Sequence, residues 1–251
     1  MGFRNVKGTF DILPETSAAD GTTIPSSSAW QHVEAAIREV MSRFNFDEIR
    51  TPILEETELI ARGVGQMTDI VTKEMFTFDR GDDHYVLRPE LTAPVMRSYL
   101  QHRLDQRGGT QKLYYIGPCF RAERPQKGRY RQFHQFGAEV IGTQDARADA
   151  EIIAVMMAVY EKLGVRRMEL RVNSLGDPAG RAEYRQALKS FLEPYRDQLS
   201  ETSRKRLETN PLRILDTKDQ KERELLENAP RLIDFVDAEG LEHYREVKML
   251  L

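Results

Sequence analysis

Trp30, Val33, Ile37, Val40, Met41 and Phe44 recur at helical spacing, which predicts an amphipathic helix with one apolar stripe. The stretch before it, residues 15–28, is small and polar. It closes on Pro25, Ser26, Ser27 and Ser28, and reads as a surface loop ending in a helix N-cap. After the helix, residues 47–52 read as extended, anchored by Ile49. Pro52 blocks backward helix growth, so a short helix over 56–62 must start afresh and end at Gly63. Residues 74–88 read as a hairpin, with a turn over Asp79, Arg80, Gly81, Asp82 and Asp83. Pro89 is expected to open a helix carrying Val95, Met96, Tyr99 and Leu100, which places Glu90 and Thr92 in its first turn.

The pattern then changes period. Residues 113–120 and 131–141 read as two strands joined by a short loop, hence as antiparallel neighbours. On the second, Phe133, Gln135, Gly137, Glu139 and Ile141 share one face. His134, Phe136, Ala138 and Val140 share the other, more apolar face, which should pack on helices. Residues 146–163 form an amphipathic helix through Ile152, Val155, Met156, Val159 and Leu163, closed by Gly164. Met168, Leu170 and Val172 alternate as one more strand. From Pro178 onward the chain is helical and charged, broken at Asn210-Pro211. The expected fold class is α+β: a mostly antiparallel sheet flanked by helices over residues 1–175, followed by a small helical module over 176–251.

Composition narrows the classes without choosing one. Hydrophobic residues make up 40% and charged residues 31% of 251 positions, ordinary values for a globular chain. No apolar run approaches the roughly 20 residues needed to span a bilayer, and the first residues lack the apolar core of a secretory signal. One cysteine, Cys119, cannot build a disulfide framework. It fits a reducing cytosol, and no base stands beside it in sequence to activate it. The five histidines and the cysteine show no metal-ligand spacing. The net charge of −3 implies no nucleic-acid partner by itself, so any basic footprint must be local.

The local footprint is RAERPQKGRYRQF, residues 121–133. Arg121, Arg124, Lys127, Arg129 and Arg131 crowd one loop between two strands. Clustered cations repel unless they share an anion, and guanidinium is a rigid two-pronged donor for phosphate oxygens. The plainer reading of Arg121 is a strand-end ion pair with Glu123. On the exit strand, Gln135 and Glu139 flank Gly137, a floor without a side chain beside the Phe133 ring; a small-ligand pocket and a solvated face both fit that pattern. For Glu90 and Thr92, the plainer reading is a helix start favoured by the dipole, and the alternative is a grip on a ligand ammonium group. No GxxxxGK[ST] or strand-following GxGxxG is present, so a nucleotide here would be held by arginine and aromatic contacts.

These residues resemble the histidyl-tRNA synthetase family of class II aminoacyl-tRNA synthetases. ERPQKGRYRQFHQ is similar to that family's motif 2, and KGTFDILP (residues 7–14) to its N-terminal signature. FDEIRTP (46–52) is similar to motif 1, and LRPELTAPV (87–95) to its substrate-amine segment. The resemblance implies histidine activation by ATP with Mg²⁺, then transfer to histidine tRNA, by a cytoplasmic homodimer paired through the motif 1 region. It implies Arg121 at the α-phosphate, Glu123 positioning the tRNA end or the adenosine side, Arg129 at the γ-phosphate with Tyr130 nearby, and Phe133 on adenine. Glu90 and Thr92 would meet the amino group of histidine, Gln135 with Arg121 its carboxylate, and Glu139 its imidazole. Metal ligands are not assigned. Residues from about 176 resemble the family's helical insertion domain, implicated in gripping the tRNA acceptor arm. No RGLDYY or GGRYD occurs, and nothing resembles motif 3 or the anticodon-binding domain, so the chain reads as an N-terminal portion with weak or absent aminoacylation on its own. An alternative is the synthetase-like regulatory subunit of ATP phosphoribosyltransferase. Such paralogues usually lose parts of the motif 2 loop and the insertion, both kept here. A stand-alone dimerisation or RNA-binding piece is a third reading.

Overall fold

The computed structural model describes residues 3–14, 26–64, 73–126 and 128–251. Most of the 15–28 loop, the first two residues and Lys127 of the basic loop therefore lie outside the described residues. The chain divides into two units: residues 1–144 with 151–167, and residues 145–150 with 168–251.

The first unit holds the sheets. Helix α1 (Ser27–Arg43) starts two residues earlier than a loop ending in a cap at 28 implies, because Ser26 accepts the Ala29 N–H at 3.2 Å and takes the cap. Strand β1 (Asp47–Glu48) pairs in parallel with β5 (Gln111–Phe120), which pairs antiparallel along ten residues with β6 (Gln132–Ile141). A second sheet holds β2 (Leu54–Glu56), β3 (Phe76–Arg80) and β4 (Asp83–Leu87) in the order β2-β4-β3. Its hairpin is tighter than read from the sequence, because Gly81 adopts a φ of 64° and lets the strands run on to Arg80 and from Asp83. Helix α2 (Thr57–Val64) follows β2, and helix α3 (Thr92–Gln101) follows β4.

The two faces of the β5–β6 ladder have different partners. Tyr114, Ile116, Phe136, Ala138 and Val140 pack with Ile37, Val40 and Met41 of α1 and with Val155 and Val159 of α4 (Ala146–Lys162). That is the apolar face expected from the two-residue period. The other face puts Leu113, Tyr115 and Cys119 against Val95 and Tyr99 of α3, with Phe133 beside them. Leu100, counted with the apolar stripe of α3, is 62% exposed.

One predicted strand is corrected. Met168, Leu170 and Val172 do alternate, but no strand forms there among the described residues. Alternation marks an extended two-faced segment; a strand also needs a hydrogen-bonded neighbour.

The second unit is helical: α5 (Pro178–Leu192), α6 (Glu201–Thr209), α7 (Gln220–Leu226) and α8 (Ala238–Leu250), with short 3-10 turns between them. Asp177, Ser200, Asp219 and Asp237 cap these four helices in order. Tyr184, Leu188, Leu192, Leu199, Leu207 and Ile214 make its core. Beside that core the Glu222 carboxylate is buried. It accepts Ser200 N–H at 2.7 Å, Ser203 Oγ at 2.9 Å and the Thr217 hydroxyl. Burial alone would raise its pKa; the hydrogen bonds from Thr217, Ser200 and Ser203 outweigh it and hold the carboxyl below its usual range. A lowered folded-state pKa adds stability that is complete above the ordinary carboxylate range and fades as pH falls through the lower folded value. Glu222→Leu strands three donors and is expected to cost about 3 kcal/mol at pH 7, with less acid sensitivity below pH ~5. Urea unfolding followed by circular dichroism at both pH values checks this.

Candidate active site

The basic loop is shaped by its two ends. Arg121 leaves β5 with its N–H on Arg131 O at 2.9 Å, which extends the ladder by one link. Gln126 and Arg129 pair across a tight turn at Gly128, whose φ of 79° favours glycine. Ala122 N–H reaches Glu74 O at 2.7 Å and so ties the loop to the β3 hairpin. On its other side the loop meets the N-terminal segment. Arg131 N–H donates to Gly8 O at 2.7 Å, and the Phe10 and Tyr130 rings meet edge-on at 4.9 Å. A Cβ at Gly8 would lie 2.9 Å from Pro125 Cγ, so glycine lets the two segments cross closely.

Arg121 does not pair with Glu123. Its guanidinium lies 5.0 Å from the Phe133 ring centre, and its Nε donates to Pro89 O at 3.0 Å. Glu123 instead accepts Arg129 Nη1 at 3.1 Å. Strand geometry explains the exchange: Phe133 sits opposite Cys119 in the ladder, so an arginine just past the end of β5 can fold back over that ring.

Glu90 does not lie inside the helix. Helix α3 begins at Thr92, and the Glu90 carboxylate accepts the N–H groups of Thr92 at 2.5 Å and Ala93 at 3.0 Å. Its side chain supplies acceptors to helix N–H groups that have no intrahelical partner. Each oxygen keeps a lone pair, and the cap holds both in one orientation.

The glycine floor is covered. Tyr115 stands opposite Gly137 in the ladder, and a Cβ at Gly137 would collide with the Tyr115 ring and hydroxyl. Glycine is there to seat that tyrosine. Tyr115 Oη donates to Glu139 Oε1 at 3.1 Å and stands 3.5 Å from Thr92 Oγ1. Burial is the main reason the phenol pKa rises, so Tyr115 stays protonated and can keep donating to the Glu139 carboxylate. Cys119 is fully buried, and burial pushes its thiol up to about 11 against the pull of Arg88 and Arg121. The thiol contacts Gln135 Oε1 at 3.7 Å.

The structure therefore links Glu90, Thr92 and Glu139 through Tyr115, and joins Arg121 to Phe133 and to Pro89, the neighbour of Glu90. Arg129 and Tyr130 stand out on the exposed loop. A cavity of about 830 Å³ beside α2 and α3 has Glu90 and Thr92 on its wall, with Leu59, Met96 and Leu100, but does not reach Arg121, Gln135 or Glu139. Sequence reasoning missed Tyr115 and Arg88. Tyr115 had a signal, since it shares the two-residue period of Leu113, Gly117 and Cys119. Arg88 had none beyond its place in LRPELTAPV.

An antiparallel ladder ending in a phosphate-suited arginine loop, with carboxylates and a threonine clustered beside it, defines a class II aminoacyl-tRNA synthetase type of platform. The chain belongs to the histidyl-tRNA synthetase family, whose model matches residues 22–232. It is 47% identical over 252 residues to a histidine--tRNA ligase of Thermosynechococcus vestitus, covering 100% of this chain and 56% of that protein. The apo histidyl-tRNA synthetase of S. aureus superimposes with a TM-score of 0.72 at 38% identity, covering 100% of this chain and 54% of that one. A Bacillus halodurans protein described as an ATP phosphoribosyltransferase regulatory subunit/histidyl-tRNA synthetase superimposes with a TM-score of 0.63 at 23% identity, covering 100% and 66%; this likeness concerns the fold alone. The chain spans about half the length of the curated relatives it matches.

Proposed function

We propose that the protein carrying this chain joins histidine to its tRNA, and that this chain supplies the platform on which histidine and ATP meet. The observation that carries the reading is the Glu90–Thr92–Tyr115–Glu139 chain of contacts beside Arg121, because it sets acceptors for an ammonium and an imidazole next to a phosphate-binding cation.

The chemistry asks little of a general base. A histidine carboxylate is ionised at neutral pH, since an α-carboxyl pKa is about 3.3–3.7. It attacks the α-phosphorus, one P–O bond forms, and pyrophosphate leaves with the electron pair of the broken one. The platform must align the two substrates and neutralise charge. In this reading Glu90 and Thr92 hold the amino group, Gln135 and Arg121 the carboxylate, and Glu139 the imidazole. Arg121 also meets the α-phosphate. It occupies one face of Phe133, which assigns adenine to the other. Arg129 must leave Glu123 to take the γ-phosphate. Its side chain is 64% exposed, and such a pair contributes only about 0–1 kcal/mol, so a triphosphate can compete for it. Glu123, once released, is free to position the adenosine or tRNA end, beside Tyr130.

Mg²⁺ is normally held by one or two carboxylates with phosphate oxygens and water. Among the described residues no cluster of three His, Cys, Asp or Glu side chains offers a dedicated metal cage. The helical segment 176–251 is assigned to the tRNA acceptor arm, the FDEIRTP segment to a homodimer contact, and the protein to the cytoplasm. Among the described residues no helix is long and apolar enough to cross a membrane.

Calorimetric titration with histidine and with ATP–Mg²⁺ tests the reading. Saturable binding of both is expected, with histidinol, which lacks the carboxylate, bound at least ~10-fold more weakly than histidine. Absence of binding by either substrate overturns it. A gel shift with histidine tRNA and a control tRNA at two salt concentrations tests the RNA assignment.

A further inference from the structure

One buried guanidinium has no place in the contacts just assigned. Arg88 is 4% exposed and forms no ion pair among the described residues. Its Nε donates to Pro118 O at 3.0 Å. Its Nη1 lies 2.8 Å from Thr51 O, 3.1 Å from Thr51 Oγ1 and 3.2 Å from Pro52 O. Its main chain adds two links: Arg88 N–H to Ile53 O at 2.9 Å, and Phe120 N–H to Arg88 O at 3.0 Å.

One residue thus joins three segments: 51–53, the 88–90 turn and the end of β5. Glu90 is two residues beyond Arg88, and Arg121 is the residue after Phe120. Arg121 also returns to the turn, through its bond to Pro89 O at 3.0 Å. We propose that Arg88 is a positioning residue that sets the spacing between the Glu90 carboxylate and the Arg121 guanidinium, and ties that spacing to the FDEIRTP segment. The inference rests on the reading above that these two groups serve substrates bound side by side.

A cation held by neutral oxygens is a costly way to fill space, since a buried charge loses hydration that carbonyl dipoles only partly replace. An apolar side chain would fill the volume more cheaply but could not bond in two directions. Guanidinium can, because its donors are fixed in a planar fork, whereas ammonium is a compact point charge. Strand β5 also accommodates the group. A Cβ at Gly117 would lie 2.5 Å from Arg88 Nη2, so the chain keeps glycine where this guanidinium passes.

Two variants perturb the same contact from opposite sides. Arg88→Lys keeps the charge but cannot reach both Pro118 and Thr51. Gly117→Ala keeps the arginine and pushes its Nη2 aside. Each is expected to fold, to speed amide hydrogen exchange at 90–93 and 119–121 at least ~10-fold, and to leave 133–141 protected. Each is expected to weaken histidine and ATP binding together by at least ~10-fold, measured well below its unfolding midpoint. In a double-mutant cycle with Arg121→Ala, the ATP losses should be sub-additive, because Arg88 acts through Arg121. A merely structural arginine would lower the midpoint without changing cold affinities, and that result overturns the proposal. So do unchanged exchange at 90–93 and 119–121 in both variants, and strictly additive ATP losses. If the unaltered protein binds neither substrate, the functional reading falls by itself, and the exchange comparison alone decides whether Arg88 sets this spacing.

Discussion

Replacing Arg121 by alanine is expected to weaken ATP–Mg²⁺ binding by at least ~10-fold, with the unfolding midpoint nearly unchanged. The reason lies in where the side chain stands. It is at a strand end, partly exposed, with one hydrogen bond to Pro89 O and one ring contact to Phe133, so little of the core depends on it. A charge-assisted bond to a phosphate oxygen contributes about 1.5–3 kcal/mol, and the effect falls wholly on the liganded state. Arg121→Lys separates charge from shape. Lysine keeps the positive charge but loses the planar contact with Phe133 and the geometry of the Nε bond, and should fall between the two. Calorimetry at two salt concentrations gives the affinities, and thermal unfolding gives the midpoints. An alanine variant that binds ATP as tightly as the original protein removes Arg121 from the phosphate site.

Gly137→Ala should produce the opposite selectivity, with histidine binding falling at least ~10-fold while ATP binding stays within about twofold. The added methyl occupies space already filled by the Tyr115 ring and hydroxyl. Tyr115 must shift, which breaks its bond to Glu139 and its contact with Thr92. Overpacking of this kind costs about 1–3 kcal/mol, so a lower unfolding midpoint is expected as well. Adding Tyr115→Ala removes the overlap but empties a buried ring site, so the midpoint should fall further. Histidine affinity should stay low, because Glu139 has still lost its donor. Equal losses for histidine and ATP would show instead that the ladder as a whole had been disturbed.

Much of the architecture is legible along the chain because its causes are local. The stripe from Ile37 to Met41 and the alternation from His134 to Val140 each follow from a period, and each appears in the fold. The basic loop is equally legible, since its cations are adjacent in sequence. The differences concern choices among partners. Glu123 could meet Arg121 or Arg129, and the fold of the loop selected Arg129. Glu90 could enter the first helical turn or stay outside and accept its N–H groups, and the structure takes the second course. Met168, Leu170 and Val172 alternate like a strand, but pairing depends on what lies alongside.

Periodicity, turn residues and the crowding of arginines are written within a few positions of one another, so the helices, the β5–β6 hairpin and its phosphate-suited loop can be read before folding is considered. Strand register and loop crossings cannot. They place Tyr115 over Gly137, 22 positions apart by residue number, and bring Arg121 to Pro89 across 32 residues and Arg88 to Thr51 across 37. No local preference encodes such distances, because they follow from how the two sheets and the helices of the first unit pack together.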